Sequence, residues 1–328
     1  MSNIPHSFPF DPTYGYSQEE LLNISSSETE PSGFAEFWRT LREQAGQFPL
    51  ELKTEEVPSP YSAYRLMKAF YTVFPGYRVG AWIICPVDMS QARFGIVVGH
   101  GYGGREGPDW DKAAPDRIVI FPIAPGFHIS ASPQLPLNDS AQHVVHGIAS
   151  KETYVLGSCA CAFWRAVDVL EAMVPSPLEH FHYAGWSFGG GIGALMLPWE
   201  PRFASAELGQ PTFGNHPLRL QMECVGSGEA VRRLHASRPE IKQTLAFFDA
   251  ATAIRHLRIP VVFACAIFDP AVPPPGQFSV ANGHPGPKRI TVFRTGHFEY
   301  AYEELRVEEA RHRCNLLELI GSPARATS

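Results

Sequence analysis

A serine stands between two glycines in the pentapeptide Gly185-Trp186-Ser187-Phe188-Gly189. The apolar run 180–184 before it predicts a strand, and the small residues 190–195 after it predict a helix. A sharp strand-to-helix turn of this kind exposes a serine hydroxyl for nucleophilic attack, and its glycines let the strand and the helix approach closely. Because glycine-rich turns without any function share the pattern, Ser187 needs an acid and a base elsewhere in the chain.

The acid should be one of the two aspartates that follow Ser187, which are Asp249 and Asp269. Asp269 comes directly after the apolar run 259–268, at the carboxyl end of a predicted strand, where open α/β sheets place their functional groups. The proline-rich segment 270–275 would stiffen the loop that carries it. Asp249 precedes an alanine-rich segment and fits the start of a helix. We therefore expect Asp269 to be the carboxylate of the site.

The base should be a histidine, because a neutral imidazole can take the proton from a serine hydroxyl while a buried carboxylate holds the ring in place. His297 follows the apolar run 289–293, one strand after Asp269, and Thr295-Gly296 supplies a turn that can direct its ring toward the serine. The order serine, acid, histidine is that of the α/β-hydrolases. The other histidines after Ser187 lack this order and position and are expected to be surface or loop residues: His216, His235, His256, His284 and His312.

The negatively charged oxygen of a tetrahedral intermediate needs two N–H donors. Phe188, the residue after the nucleophile, supplies one backbone N–H, and the loop after the early strand 94–99 supplies the other. That loop has the sequence His100-Gly101-Tyr102-Gly103-Gly104-Arg105, whose glycines allow close approach of the backbone. We expect the N–H groups of Tyr102 and Phe188 to form an oxyanion hole.

The elements that must position these residues alternate along the chain. Residues 64–87 contain two β-rich runs around Pro75-Gly76, which predict an antiparallel hairpin. Six further apolar runs predict strands, and segments with helical spacing such as 162–173 separate them; the runs are 94–99, 117–123, 180–185, 203–208, 259–268 and 289–293. We predict an α/β fold of the α/β-hydrolase type, with a mostly parallel twisted sheet, an antiparallel edge hairpin and helices on both faces.

The N-terminal part of the chain has a different composition. Residues 1–30 are polar and proline-rich and are expected to form an arm on the surface. Ser32 is a candidate N-cap for a helix that continues to Arg42 with an aromatic stripe on one side. Since neither a repeat nor a long linker interrupts the remaining chain, residues 31–320 are predicted to form a single domain that includes this helix and the hairpin.

Composition argues against several classes of partner. The chain has 328 residues, of which 45% are hydrophobic, a formal net charge of −6 and no basic stripe, which argues against nucleic acid. No apolar run reaches the roughly 20 residues that cross a membrane. The first residues show no secretory signal, so a cytoplasmic location is expected.

Metals and cofactors are not expected either. The six cysteines include no C-x-x-C pair and are predicted to be reduced, structural residues. Glu179, His180 and His182 raise a weaker alternative, a metal site, but no further ligand follows at a recognisable spacing. Alternating residues of one strand face often include such a polar pair.

The motifs in combination resemble the acetyl xylan esterase / cephalosporin C deacetylase family (carbohydrate esterase family 7). The resemblance is carried by the following segments: Phe34-x-x-Phe37-Trp38, the loop His100-Gly101-Tyr102-x-Gly104-Arg105 with Asp109-Trp110, the elbow at Ser187 with Gly190-Gly191, Phe248-Asp249, Ile259-Pro260, Asp269-x-x-Val272-Pro273-Pro274, Gly286-Pro287-Lys288 and His297. It implies enzymes that remove acetyl groups from small oligosaccharides and cephalosporins without a cofactor, often as hexamers. By this resemblance Ser187, Asp269 and His297 are the triad, and Tyr102 and Phe188 donate to the oxyanion.

Three segments depart from the family pattern. Residues 124–127 are Ala-Pro-Gly-Phe where the family usually has Arg-Gly-Gln-Gly, Phe188 replaces a glutamine, and Phe298 separates His297 from Glu299. The predicted triad is intact, so the departures concern the substrate and the oligomeric state. Trp110, Trp186 and Phe213 are candidates for an apolar substrate pocket, although each of them equally fits the core.

The sequence therefore predicts a serine esterase that acts on small acyl esters, acetyl esters of carbohydrates or similar small molecules, through an acyl-enzyme. Two other functions fit the same fold. One is a serine peptidase of the prolyl-oligopeptidase type without its propeller domain, and the other is a non-catalytic binding protein.

Overall fold

Nine strands form one mixed sheet in the computed structural model, which describes residues 4–26, 29–74, 77–299 and 302–319. The strands are β1 (Lys53–Val57), β2 (Tyr64–Phe74), β3 (Tyr77–Pro86), β4 (Phe94–Val98), β5 (Arg117–Pro122), β6 (His180–Trp186), β7 (Phe203–Gly209), β8 (Val261–Ala266) and β9 (Lys288–Phe293). Their order is β1-β2-β3-β5-β4-β6-β7-β8-β9. The pairs β1–β2, β2–β3 and β3–β5 are antiparallel, and the pairs from β5 through β4 to β9 are parallel.

Helices of very different length connect the strands. They are α1 (Gln18–Asn23), α2 (Phe34–Gln47), α3 (Ser140–His143), α4 (Val155–Met173), α5 (Phe188–Met196), α6 (His216–Arg219), α7 (Gly228–Ser237), α8 (Lys242–Phe247), α9 (Ala250–Ala253), α10 (Pro274–Gly283) and α11 (Tyr302–Leu319). In the described part of the chain no helix combines the length and the apolar character that crossing a membrane requires.

The strands agree well with the sequence. All six apolar runs form strands, and the predicted hairpin is formed by β2 and β3, with Leu66 opposite Ile84. Its predicted turn at Pro75-Gly76 lies outside the described residues. The edge strand β1 was not predicted, because its sequence Lys-Thr-Glu-Glu-Val is charged and exposed and alternates too weakly to indicate a strand.

Both faces of the sheet are covered, so alternate residues of one strand enter different apolar clusters. Val97 joins the large cluster beneath α2, α4 and α5, whereas its neighbours Ile96 and Val98 join a smaller cluster on the opposite face. On that opposite face α11 packs against β8 and β9. The apolar character of the parallel strands follows from this double coverage.

The N-terminal part is packed more firmly than its composition suggests. The N-cap of helix α2 is Gly33, with a positive φ of 76°, and not the predicted Ser32. The helix continues beyond Arg42 to Gln47. Within the arm, Leu21 of α1 is fully buried. The side chain of Asn282 on α10 donates hydrogen bonds to the Leu21 and Ile24 carbonyls, at 2.9 and 2.8 Å. The arm is thus attached to the body rather than lying loosely on its surface.

Candidate active site

Ser187 occupies the sharp turn between β6 and α5, as the sequence predicts. Its φ of 56° and ψ of −114° are unusual for a residue other than glycine and indicate local backbone strain. Gly189 makes the turn possible, because a Cβ there would lie 2.9 Å from the Gly99 carbonyl carbon. The Gly189 N–H donates to the His100 carbonyl at 2.9 Å, which ties the elbow to the loop after β4.

Ser187, His297 and Asp269 form a continuous hydrogen-bonded chain. The Ser187 hydroxyl lies 2.9 Å from Nε2 of His297, and Nδ1 of the same ring lies 2.8 Å from Oδ2 of Asp269. Since a carboxylate accepts, Nδ1 carries the proton and Nε2 is left free to accept from the serine. The three residues come from the ends of β6, β8 and β9, which are neighbours through β7 in the sheet.

The Asp269 carboxylate is held rigidly in a buried loop. The side chain has no solvent exposure. Its Oδ1 accepts the N–H groups of Ala271 and Val272, each at 2.9 Å, and its Oδ2 also accepts from Nε2 of Gln277 at 2.9 Å. Gln277 in addition donates to the Val272 carbonyl at 2.6 Å, so one side chain from α10 holds both the Asp269 carboxylate and its loop. Sequence reasoning did not find Gln277, because a glutamine in a helix gives no local signal of such a contact.

The electrostatic setting favours a basic imidazole. Burial disfavours the charged form of His297, but the hydrogen bond that the ring donates to Asp269 and the charge of that carboxylate outweigh this effect and raise the pKa of His297 above its ordinary value. The side chain keeps 27% of its surface exposed, which leaves the ring accessible to a reacting molecule. A serine, a basic imidazole and a fixed carboxylate in this order can carry out nucleophilic acyl transfer.

The residues predicted for the oxyanion hole lie together beside the elbow. The Tyr102 and Phe188 rings pack with centroids 4.3 Å apart. Within the described part of the chain, neither backbone N–H donates to a protein acceptor, so both remain available for a ligand. A hydrogen bond also holds the side chain of Tyr102, since its hydroxyl lies 3.1 Å from Nδ1 of His143.

His143 can hold Tyr102 because its own tautomer is fixed. Its Nε2 lies 2.9 Å from the Pro125 carbonyl, which can only accept, so Nε2 carries the proton and Nδ1 accepts from the tyrosine hydroxyl. Burial lowers the pKa of His143 to about 4, which keeps the ring neutral. This contact uses the segment 124–127, one of the places where the sequence departs from the family pattern.

Comparison with known proteins identifies the family of the chain. The family model described as acetyl xylan esterase (AXE1) matches residues 13–316. The chain belongs to that family. Acetyl esterase Axe7A of Xylanibacter ruminicola is 22% identical over 150 residues, which are 46% of this chain and 34% of that protein. The match thus spans about a third of the length of this curated relative.

Two solved structures share the fold over almost the whole chain. The acetyl xylan esterase from Paenibacillus sp. R4 superposes with a TM-score of 0.78 at 19% identity, over 90% of this chain and 99% of that one. Acetyl xylan esterase 1 from Thermoanaerobacterium sp. JW/SL YS485 gives 0.77 at 16% identity, over 91% and 98%. The predicted fold, a mostly parallel sheet with an antiparallel edge and helices on both faces, is therefore confirmed for this member of the acetyl xylan esterase family.

The three side chains suggested for a substrate pocket lie in different places in this family member. Phe213 is buried, and its ring centroid lies 6.1 Å from that of Phe188 and 6.5 Å from that of Tyr102. Trp186 lies on the opposite face of the sheet, where it lines a cleft of about 730 Å³ that also borders His297. Trp110 packs against Tyr61, with ring centroids 5.0 Å apart, in the small apolar cluster beside β4. It does not line that cleft.

The polar residues of the weaker metal alternative have other partners. Glu179 forms an ion pair with Arg93 at 2.6 Å, and Nδ1 of His182 lies 2.9 Å from the Ser205 hydroxyl. Of the remaining histidines, His312 contacts the buried Glu207 at 3.1 Å, on the opposite face of the sheet from Phe188. Asp249 caps α9 by accepting the Thr252 N–H at 2.9 Å, as the sequence predicts.

The N-terminal arm reaches the site, which sequence reasoning missed. Phe8 packs edge-on against Phe298 with ring centroids 5.9 Å apart, and Phe298 packs against Phe268 with centroids 5.1 Å apart. Phe268 directly precedes Asp269, and Phe298 directly follows His297. The alternation of His6, Phe8 and Phe10 could have indicated this contact, because an extended segment directs alternate side chains to one side.

Proposed function

We propose that the protein is a serine esterase that hydrolyses small acyl esters, above all acetyl esters of carbohydrates or similar small molecules, with Ser187 as nucleophile. The observation that carries the proposal is the hydrogen-bonded chain from Ser187 through His297 to Asp269, with distances of 2.9 and 2.8 Å. Membership of the acetyl xylan esterase family supports the same chemistry. The reaction needs no cofactor, because every proton transfer has a side chain in reach.

Each step uses one of these groups. His297 Nε2 takes the hydroxyl proton while Ser187 Oγ attacks the ester carbonyl, and Asp269 stabilises the resulting imidazolium. The N–H groups of Tyr102 and Phe188 receive the negative oxygen of the tetrahedral intermediate. The imidazolium then donates its proton to the departing alcohol, leaving an acetyl-enzyme. Water, activated by the same imidazole, releases acetate and restores the serine.

A short acyl group fits the aromatic surroundings of the nucleophile. Phe188 and Phe213 are fully buried or nearly so, and together with Tyr102 they form an aromatic layer on one side of the elbow. Replacement of a glutamine by Phe188 makes this layer bulkier and less polar than the family pattern implies. A longer acyl chain has to displace these rings, and a displacement of about 1 Å can cost on the order of 10²-fold in rate.

The test is a chain-length series of p-nitrophenyl esters. We expect kcat/KM to fall steeply from acetate to butyrate to octanoate, and we expect acetylated xylo-oligosaccharides and cephalosporin C to lose acetate. A flat or rising series would leave a general carboxylesterase. Cleavage of a prolyl p-nitroanilide without ester hydrolysis would favour the peptidase alternative. A protein that hydrolyses neither the esters nor the anilide would favour the binding-protein alternative.

We also propose a cytoplasmic homo-oligomer, a hexamer by the family resemblance. The cytoplasmic location is supported by the cysteines, which are all free, as expected in a reducing compartment. Light scattering on the purified protein measures the oligomeric state directly, and fractionation of the producing cells measures the location.

A further inference from the structure

Arg219, at the end of α6, carries a buried positive charge that forms no ion pair in the part of the chain that the structure describes. Only 8% of the residue is exposed. Its Nε is completely buried and has no acceptor. None of the ion pairs or side-chain hydrogen bonds between described residues involves its guanidinium. The similarly buried Arg165 differs, since it pairs with Asp168 at 2.6 Å and donates to the Phe48 carbonyl at 2.9 Å.

The surroundings of Arg219 are built around the guanidinium. Its central carbon lies 5.8 Å from the centroid of the Phe213 ring. Gly228 lets the loop pass close to it, because a Cβ at that position would lie 2.7 Å from the Arg219 Nη2 and 3.4 Å from the Cys224 sulfur. A side chain at position 228 would therefore require the guanidinium to shift. Packing on an aromatic face and against a glycine holds the side chain in one place.

No ionisable group in the described part of the chain forms an ion pair with Arg219. The groups that act on its charge most strongly are Cys224, Tyr154, Asp249 and Tyr102. Burial raises the pKa of the Cys224 thiol and of both tyrosine hydroxyls, so these groups are neutral at ordinary pH. The Asp249 carboxylate accepts the N–H groups of His216 and Thr252, at 2.7 and 2.9 Å, and acts on Arg219 only through its charge, without a hydrogen bond to the guanidinium.

An arginine cannot avoid the cost of a buried charge by losing its proton, because it stays protonated in proteins. Burial of an unpaired charge is among the most costly arrangements in a protein, and pairing with an opposite charge relieves it. Burial accordingly lowers the pKa of the Arg219 guanidinium, although not enough to discharge it. The side chain is therefore available to an anion, for which the described part of the chain supplies no paired group.

Arg219 lies one aromatic layer behind the reacting centre. Phe213 touches the guanidinium with one side and packs against Phe188 and Tyr102, the proposed oxyanion donors. The preceding residue, Thr212, donates its N–H to the Ser187 carbonyl at 3.3 Å. Phe213 and Thr212 thus connect the surroundings of Arg219 to the elbow at Ser187.

We propose that Arg219 is a specificity-determining residue that binds a carboxylate on the substrate, so that the preferred esters are anionic. This inference rests on the proposed esterase function and names its substrate class. A carboxylate fits better than other anions for two reasons. Its single charge matches one arginine, and its planar pair of oxygens matches the fork of the guanidinium.

The test compares charged and neutral esters of matched shape by pH-stat. On the acyl side the pair is monomethyl succinate and methyl butyrate, and on the alcohol side it is 3-acetoxybenzoate and phenyl acetate. For the wild type we expect kcat/KM to favour the charged ester in at least one pair, by about 10- to 100-fold, the effect of one charge-assisted hydrogen-bonded pair. The pair that shows the preference identifies the side that carries the carboxylate.

Variants assign this preference to Arg219. Arg219→Gln should reduce the charged-to-neutral ratio to about one, and Arg219→Lys should retain part of it. Arg238→Gln is the matched control, because Arg238 is 47% exposed and pairs with Glu240 at 3.0 Å. Its ratio should equal that of the wild type. Should Arg219→Gln not fold, as judged by circular dichroism, Arg219→Lys and inhibition of the wild type by 3-hydroxybenzoate against phenol provide the same comparison.

The outcomes separate this inference from the proposed function. Equal rates within both pairs for the wild type, or an unchanged ratio in Arg219→Gln, would overturn the carboxylate site while the esterase stands. A wild type that hydrolyses neither the charged nor the neutral esters would overturn the esterase itself.

Discussion

The backbone N–H of Asp269 donates a hydrogen bond of 3.1 Å to the carbonyl of Pro12, so the N-terminal arm is joined directly to the proposed catalytic acid. The same arm contacts the residue after the proposed base through Phe8 and Phe298. The loops that carry the proposed acid and base therefore both contact a segment that lies more than two hundred residues away in the sequence. The distance between their side chains, 2.8 Å, depends on both loops staying in place.

We predict that Phe8→Ala lowers kcat for p-nitrophenyl acetate by about tenfold and changes KM little, because small displacements of reacting groups are costly. Stopped-flow or steady-state kinetics measures the two constants. Leu22→Ala is a suitable control, since Leu22 belongs to the same arm but is 39% exposed. An unchanged kcat in Phe8→Ala would show that the arm does not position the triad.

We predict that Ser187→Ala abolishes ester hydrolysis and leaves the fold intact. Loss of a nucleophile that acts as a unit with its base costs about 10⁶ in turnover. A serine-directed organophosphate, followed by peptide mass spectrometry, should label the wild type at Ser187. Ser237→Ala, at the exposed end of α7, is the control and should keep full activity. Near wild-type activity in Ser187→Ala would exclude Ser187 as nucleophile.

The features that the sequence predicted are those that leave a local pattern. Parallel strands are buried on both faces, so each of them appears as an apolar run. The ends of these strands then indicate Asp269 and His297, because functional groups of open sheets lie there. The elbow at Ser187 is likewise a local requirement, since only a strained turn with flanking glycines fits between β6 and α5.

The features that escaped prediction depend on distant partners. Strand β1 is charged and exists because its residues pair with β2, with Lys53 opposite Phe70. Gln277 and Pro12 contact Asp269 only in the folded chain, eight residues or more from it. Arg219 was equally invisible, because the sequence does not show that a charged residue lacks a partner.

We predict that Asp269→Asn preserves the fold but lowers kcat by about 10⁴-fold, because the amide favours the wrong tautomer of His297. Asp249→Asn should instead lower the unfolding temperature and leave kcat nearly unchanged. Its carboxylate accepts two backbone N–H groups and caps α9, and loss of such a cap costs about 1 kcal/mol. Kinetics and thermal unfolding of both variants distinguish the roles, and the reverse pattern would contradict the assignment of the acid.

We predict that kcat/KM of the wild type rises with pH and that the midpoint of this rise lies above the ordinary histidine value of about 6.5. Only neutral His297 can accept the serine proton, and Asp269 raises the pKa of His297 despite its burial. The protonated ring is therefore favoured by the folded state. This contribution to stability is complete below about pH 6.5 and is lost as the pH rises through the raised pKa.

The measurement is kcat/KM for p-nitrophenyl acetate over the range in which histidine titrates, about pH 5 to about pH 9. In Asp269→Asn the charge that raises the pKa is gone while the burial remains, so the midpoint of the residual activity should move to lower pH. The Asp249→Asn profile should coincide with that of the wild type, because Asp249 does not contact His297. A wild-type midpoint at or below the ordinary value, or one that Asp269→Asn does not lower, would show that His297 is not the base that Asp269 tunes.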